Sequence, residues 1–124
     1  MGANEARSEL IVATIYYLDA PLDAGFVEFF EKTVKAAVIG SGATVLAYFV
    51  TEHSENTFPA LPVRQGENVF VWFARFNDAA AYERHIAALT HYPHWRDQIS
   101  KELARRLTRE LEILKLSPTT RSLL

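Results

Sequence analysis

Three segments of the chain carry apolar side chains in both of their alternating registers, and this constrains the fold more than any other feature. The segments are LIVATIYYL (Leu10–Leu18), TVLAYFVTE (Thr44–Glu52) and NVFVWFARF (Asn68–Phe76), whose β-branched and aromatic content predicts strands. One register holds Ile11, Ala13, Ile15, Val45, Ala47, Phe49, Val69, Val71 and Phe73, and the other holds Val12, Tyr16, Leu46, Tyr48, Val50, Phe70, Trp72 and Phe76. A sheet that is covered on one face has polar residues in one register. We therefore expect both faces of this sheet to be covered.

Helical patterns separate and follow these strands. Apolar residues recur at three-and-four spacing from Leu22 to Ile39, which predicts a first helix. Asp78 is a suitable N-cap for a second helix, AAAYERHIAALT, and Pro93 can start a further helical segment that runs to Arg106. Polar and apolar residues largely alternate in the segment Glu110–Leu116, which predicts a last strand. The predicted element order is βαββαβ.

This order predicts an α+β chain of the ferredoxin-like type, with a four-stranded antiparallel sheet. Two helices can cover only one face of such a sheet, so the second apolar face needs another cover. A second copy of the sheet is the economical cover, which predicts a homodimer, or an assembly of dimers, built as a dimeric α/β barrel. Both registers remain candidates for the face that meets the partner.

Length, charge and cysteine usage narrow the function classes. The 124 residues fit one domain, 1–124, in which residues 1–8 are expected to form a loose tail. A net charge of -2 argues against nucleic acid as a partner, and the longest uncharged stretch is too short for a membrane span. Cysteine is absent, which excludes disulfides and thiolate metal sites and fits the cytoplasm.

Three segments carry distinctive motifs: FVTEHSENTFPALPVRQGENVFVWFARF, HYPHWR and the tail LKLSPTTRSLL. The most specific parts are the proline-rich loop Asn56 to Asn68 and the terminal Ser-Pro-Thr-Thr-Arg-Ser. In these segments the chain resembles the NIPSNAP family of dimeric α/β-barrel proteins. The resemblance implies the fold and the dimer, and animal relatives are linked to mitochondria and vesicle traffic. The wider superfamily includes cofactorless monooxygenases, isomerases and haem-degrading enzymes, so an enzyme is implied only by analogy of fold.

The candidate ligand-binding residues are Tyr48, Trp72, Arg75 and His85, expected at a cleft between the sheet and the helices. His85 is also the candidate catalytic residue, because a neutral imidazole could act as a general base there. The competing interpretation is a structural histidine that is partly buried and hydrogen-bonded. A small aromatic ligand is the expected occupant of the cleft.

The long loop after the second strand carries two further candidates, His53 and Arg64. They could form part of a lid, with Arg64 holding an anion over the mouth of a cavity. The competing interpretation is a rigid arm that reaches across the dimer. The C-terminal stretch Ser117 to Leu124 ends in two leucines, and we expect it to be docked rather than free.

Neither a metal nor a cofactor is expected. His91 and His94 with His85 form the only histidine cluster, but Pro93 breaks the helical register that would bring His91 and His94 together. Haem-degrading relatives pair a histidine with a tryptophan and an asparagine, and the first strand lacks an asparagine. Three function classes remain open: a small-molecule binder or cofactorless enzyme, an interaction module whose barrel is a scaffold, and a haem or metal protein.

Overall fold

The computed structural model describes residues 9–18, 24–51 and 68–119. The loop candidates His53 and Arg64 lie outside the described residues, as do the expected loose tail at residues 1–8 and the last five residues of the C-terminal stretch. The predictions made for these segments remain predictions.

Four antiparallel strands form one sheet in the order β2-β3-β1-β4. They are β1 (Leu10–Leu18), β2 (Thr44–Val50), β3 (Asn68–Phe76) and β4 (Glu112–Leu116). The bounds of β1 and β3 are those predicted, while β2 ends two residues earlier and β4 begins two residues later than expected. With the helices between them, the strands form the predicted ferredoxin-like α+β arrangement.

Helix α1 covers residues 24–40 and is not a uniform α-helix. Its two α-helical stretches, Ala24–Phe29 and Lys35–Gly40, are joined by a π-helical turn at Phe30–Val34. The helix ends where the amides of Gly42 and Ala43 donate to carbonyls of the last turn, at 3.0 Å each. Gly42 has a φ of +113°, a conformation that glycine adopts without strain, so the Ser-Gly pair stops the helix at this point.

Helix α2 (Ala79–Thr90) begins after the predicted N-cap. The Asp78 carboxylate accepts a hydrogen bond of 2.7 Å from the amide of Ala81, which satisfies one free donor of the first turn. Helix α3 covers residues 95–105 and begins with a π-helical stretch, Trp95–Ile99. The expectation that Pro93 starts this helix is wrong, because His94 adopts a left-handed φ of 66° and the helical conformation begins only after it.

The helices pack on one face of the sheet, and aromatic rings fill the space between the two layers. The ring of Phe30 lies 4.7 Å from that of Phe70 and 5.8 Å from that of Trp72, measured between centroids. Phe30 is fully buried. The second apolar register therefore supplies the core between sheet and helices.

The opposite face of the sheet, which we call the open face, carries the first register. Cross-strand neighbours share a face, and the register aligns Ala47, Phe73, Ala13 and Leu114 in one row across all four strands. Phe49 and Leu114 on this face are 57% and 50% exposed. A bulge between Val45 and Ala47 shifts the alternation, so Val45 packs against the core on the helix side instead. The open face is mainly apolar, although Arg75 also lies on it. Its edges meet solvent, whereas Ile11 and Ala13 on β1 are only 2% exposed.

Candidate functional site

A cavity of about 120 Å³ lies between the helical layer and the sheet. Its lining is mainly apolar and comes from β1, β3, α1, α2 and α3 and from the segment that leads into and forms β4. Among the apolar residues are Val12, Val38, Ala74, Phe76, Leu89, Trp95, Leu103, Leu111 and Ile113. Three of the lining residues, Ile86, Leu111 and Ile113, are 38%, 36% and 45% exposed, so they stand where the cavity meets solvent.

Strand register explains which sheet residues reach this cavity. Tyr48, Trp72, Thr14 and Ile113 form one row across the helix side of the sheet. The last three of these line the cavity, whereas Tyr48 stands at the far end of the row on β2. The cavity is therefore displaced towards β4, away from β2.

Trp72 and Tyr16 form a buried polar pair in the cavity wall. The indole Nε1 of Trp72 donates to the hydroxyl oxygen of Tyr16 at 3.0 Å. Burial raises the pKa of Tyr16 well above its ordinary value, so its hydroxyl keeps its proton. Because the oxygen is the acceptor in this bond, the hydroxyl proton of Tyr16 is free to be donated elsewhere.

His85 lines the same cavity from α2 and is only 4% exposed. Its Nδ1 lies 3.1 Å from the carbonyl oxygen of Ser41, which can only accept, so Nδ1 carries the hydrogen. Burial lowers the pKa of His85, and the hydrogen bond to Ser41 offsets this only in part. The imidazole is therefore neutral at neutral pH, with an unprotonated Nε2.

The other two cleft candidates lie elsewhere. The Tyr48 hydroxyl donates to the carboxylate of Glu31 at 2.7 Å, a bond that raises the pKa of Tyr48, and Lys35 stands over its ring. Arg75 points to the open face, where its Nε lies 3.9 Å from a carboxylate oxygen of Glu9. The structure thus brings Trp72 and His85 together at one cavity and places Tyr48 and Arg75 outside it.

The remaining histidines do not converge with His85. His91 and His94 lie in the exposed turn between α2 and α3. Across residues 9–18, 24–51 and 68–119, no three histidine or carboxylate side chains are grouped so that they could hold a metal ion. In the same part of the chain, no helix is both long enough and apolar enough to cross a membrane.

Solved structures of known proteins share this arrangement of sheet and helices. A NIPSNAP-like domain protein from Burkholderia xenovorans is 22% identical, with a TM-score of 0.68 over 94% of this chain and 90% of that one. A NIPSNAP family protein from Agrobacterium tumefaciens is 16% identical, with a TM-score of 0.70 over 94% of this chain and 98% of that one. The chain has a NIPSNAP-like fold. No protein-family model matches the sequence, and no curated protein matches it.

A solved structure with a lower similarity to this NIPSNAP-like fold belongs to an enzyme. SnoaB, a cofactor-independent oxygenase from Streptomyces nogalater, is 18% identical, with a TM-score of 0.55 over 94% of this chain and 97% of that one. At this level of identity the likeness concerns the fold, and it assigns no chemistry to individual residues.

Two polar groups at the cavity were missed by sequence reasoning. Thr14 is the only small polar side chain in β1, and a lone threonine in an apolar strand could have been noticed as a wall residue. The Ser41 carbonyl, in contrast, meets His85 only because the turn after α1 is folded beside α2. Within this NIPSNAP-like fold, the tautomer of His85 therefore depends on a backbone group that no side-chain pattern reveals.

Proposed function

We propose that the protein binds a small aromatic molecule in the cavity between the sheet and helices α2 and α3. The observation that carries this proposal is an apolar cavity whose wall holds both tryptophans of the chain, Trp72 and Trp95, together with His85. Binding sites for small molecules are typically concave and apolar, with a few polar groups that fix orientation. This cavity has that composition.

The size of the cavity limits the buried part of the ligand. An engineered apolar cavity of about 150 Å³ holds benzene. The cavity here, about 120 Å³, is comparable and would enclose one six-membered ring. A larger ligand would have to extend past Ile86, Leu111 or Ile113, where the cavity reaches solvent.

Thermal unfolding in the presence of a graded panel of aromatics tests the proposal. The panel runs from benzene, toluene and phenol to quinones, flavins and haem. A ligand at about 100 times its dissociation constant should add about 2.7 kcal/mol to the free energy of unfolding, which raises Tm by several degrees. Ile86→Phe should reduce the shift by filling the mouth of the cavity. Ile39→Phe is the matched control, since Ile39 is 48% exposed on α1 and does not line the cavity.

A panel in which no compound shifts Tm would contradict ligand binding. That result would favour the alternative, an interaction module whose barrel is a scaffold. In that case the exposed apolar surface, rather than the cavity, would be the functional part of the molecule.

A second candidate function is a cofactorless enzyme of the monooxygenase or isomerase type. The likeness of fold to SnoaB supports it, as does the neutral His85, which could accept a proton from a bound substrate. Oxygen uptake by the purified protein with hydroquinones that shift Tm tests the oxygenase form. Uptake that is lost in His85→Phe would support it, whereas binding without uptake would leave a binding protein.

We propose further that the chain forms a homodimer, or an assembly of dimers, through the open face, and that it functions in the cytoplasm. Phe49 and Phe73 form an edge-to-face pair on this face with ring centroids 5.9 Å apart. Leu114 and Leu116 on β4 are exposed on the same face at the opposite edge of the sheet. Large contiguous apolar patches on soluble chains mark interfaces. A second copy of the same face would cover this one symmetrically.

Light scattering at micromolar concentration tests the dimer. The expected mass is twice the 14.0 kDa of one chain, or a multiple of that dimer mass for an assembly of dimers. Phe49→Asp should abolish the dimer, because it places an unpaired charge in the interface. Ile39→Asp, at a similarly exposed position on the helical side, should leave it intact. A well-folded wild-type monomer would contradict the proposal.

A further inference from the structure

We propose that the cavity selects a neutral, single-ring ligand with a hydroxyl group that donates a hydrogen bond to Nε2 of His85. This inference rests on the proposed function, because it names the class of ligand for the same cavity. Phenols are the simplest members of the class.

The tautomer of His85 determines which of its ring nitrogens can accept a hydrogen bond from a ligand. The Ser41 carbonyl holds the hydrogen of the ring on Nδ1, at 3.1 Å. Nε2 therefore has a lone pair that can accept a hydrogen bond from a ligand in the cavity that His85 lines. A hydrogen bond formed inside an apolar cavity is electrostatically stronger than the same bond in water.

Packing holds the imidazole in place before any ligand arrives. The ring centroid of His85 lies 5.1 Å from that of Phe76 and 6.2 Å from that of Tyr82. The backbone bond to Ser41 fixes the remaining rotation of the ring. An acceptor that is already oriented loses little conformational entropy when a ligand binds.

Three hydroxyl-bearing residues, Thr14, Tyr16 and Tyr82, also line the cavity. Tyr16 accepts from Trp72 and retains a proton to donate, and the Thr14 side chain lines the cavity beside it. A hydroxyl group on the ligand can donate to one protein atom and accept from another. Thus a ligand hydroxyl matches this lining better than a carbonyl, which cannot donate to His85.

The charge of an aromatic carboxylate disfavours its binding in this cavity. No lysine or arginine is among the described residues that line the cavity, and Lys115 lies outside it, with its Nζ 5.1 Å from the centroid of the Tyr82 ring. A buried carboxylate without a cationic partner carries a large desolvation penalty. We therefore expect phenol to bind and benzoate not to bind.

Calorimetric titration with phenol, anisole and toluene tests the inference in the wild type and in His85→Phe. Anisole keeps the ring and the oxygen of phenol but cannot donate a hydrogen bond. In His85→Phe, the affinity for phenol should fall by about tenfold, since the ligand hydroxyl loses its acceptor. The affinities for toluene and anisole should change by less than about threefold. His85→Gln, whose amide oxygen can accept, should recover part of the affinity for phenol.

The outcomes separate this inference from the proposed function. If toluene and phenol both bind but neither affinity depends on His85, the inference is overturned and the cavity remains a ligand site. If no compound binds, the proposed function itself fails.

A second measurement needs no variant and therefore does not depend on His85→Phe folding. The ¹⁵N resonance of an unprotonated imidazole nitrogen moves upfield when the nitrogen accepts a hydrogen bond. Saturating phenol should move the Nε2 resonance of His85 in this direction, and saturating toluene should not. Bound phenol with an unchanged Nε2 resonance would overturn the inference.

Discussion

Removal of the Tyr16 hydroxyl should destabilise the protein through Trp72 rather than through lost packing. In Tyr16→Phe the ring keeps its neighbours, Phe26 and Phe70, whose centroids each lie 6.2 Å away. The indole Nε1 of Trp72, however, loses the acceptor to which it donates at 3.0 Å. A buried donor without a partner costs about 1–3 kcal/mol, which for a chain of this size lowers Tm by roughly 4–15 °C.

A double-mutant cycle isolates this interaction. Urea unfolding of the wild type, Tyr16→Phe, Trp72→Phe and the double variant gives the four free energies, at one protein concentration because dimerisation contributes to stability. In the Trp72→Phe background Nε1 is absent, so Tyr16→Phe should cost less than about 0.5 kcal/mol. An equal cost in both backgrounds would refute the reasoning, since the hydroxyl would then act independently of the indole.

Three further outcomes follow from the packing and the titration of named groups. Phe30→Ala should lower the free energy of unfolding by about 3–5 kcal/mol in urea, because it empties a fully buried site between sheet and helix. Asp78→Ala should cost about 1 kcal/mol by the same measurement, since the Ala81 amide loses its cap, while Asp78→Asn should cost less. Because the pKa of His85 is lowered in the folded state, the unfolded chain takes up more protons below the ordinary value of 6.5. Stability should thus be at its full value above that pH and fall as the pH drops below it, and the wild type should lose more stability between pH 7 and pH 5 than His85→Phe.

The strands were predictable because their signal is local. The β-branched and aromatic runs of β1 and β3 are bounded by polar residues, so propensity alone sets their ends. The π-helical turn in α1 and the left-handed His94 carry no such local signal, because tertiary packing selects these conformations over the regular helix. The bulge in β2 likewise depends on how the strand pairs with its neighbour.

Part of the candidate site was predictable because it, too, depends on local sequence. Trp72 and Arg75 are three residues apart on one strand, so alternation alone already places them on opposite faces of the sheet. The proximity of Trp72 and His85 could be expected, because only a short connection joins β3 to α2. Asp78, in that connection, is the N-cap of α2. The position of Tyr48 beside Glu31, and the bond between His85 and Ser41, could not be predicted, because both depend on where α1 and the turn after it pack.

If the cavity between sheet and helices is a ligand site, a bound ligand should change the indole N–H resonances of the protein. The chain has two tryptophans, and both line the cavity. During titration with toluene, both indole signals should shift saturably with one dissociation constant, equal to that from calorimetry, and Ile86→Phe should weaken the effect. Toluene that stabilises the protein while both indole signals stay unchanged would contradict binding in the cavity, because the ligand would then be bound elsewhere.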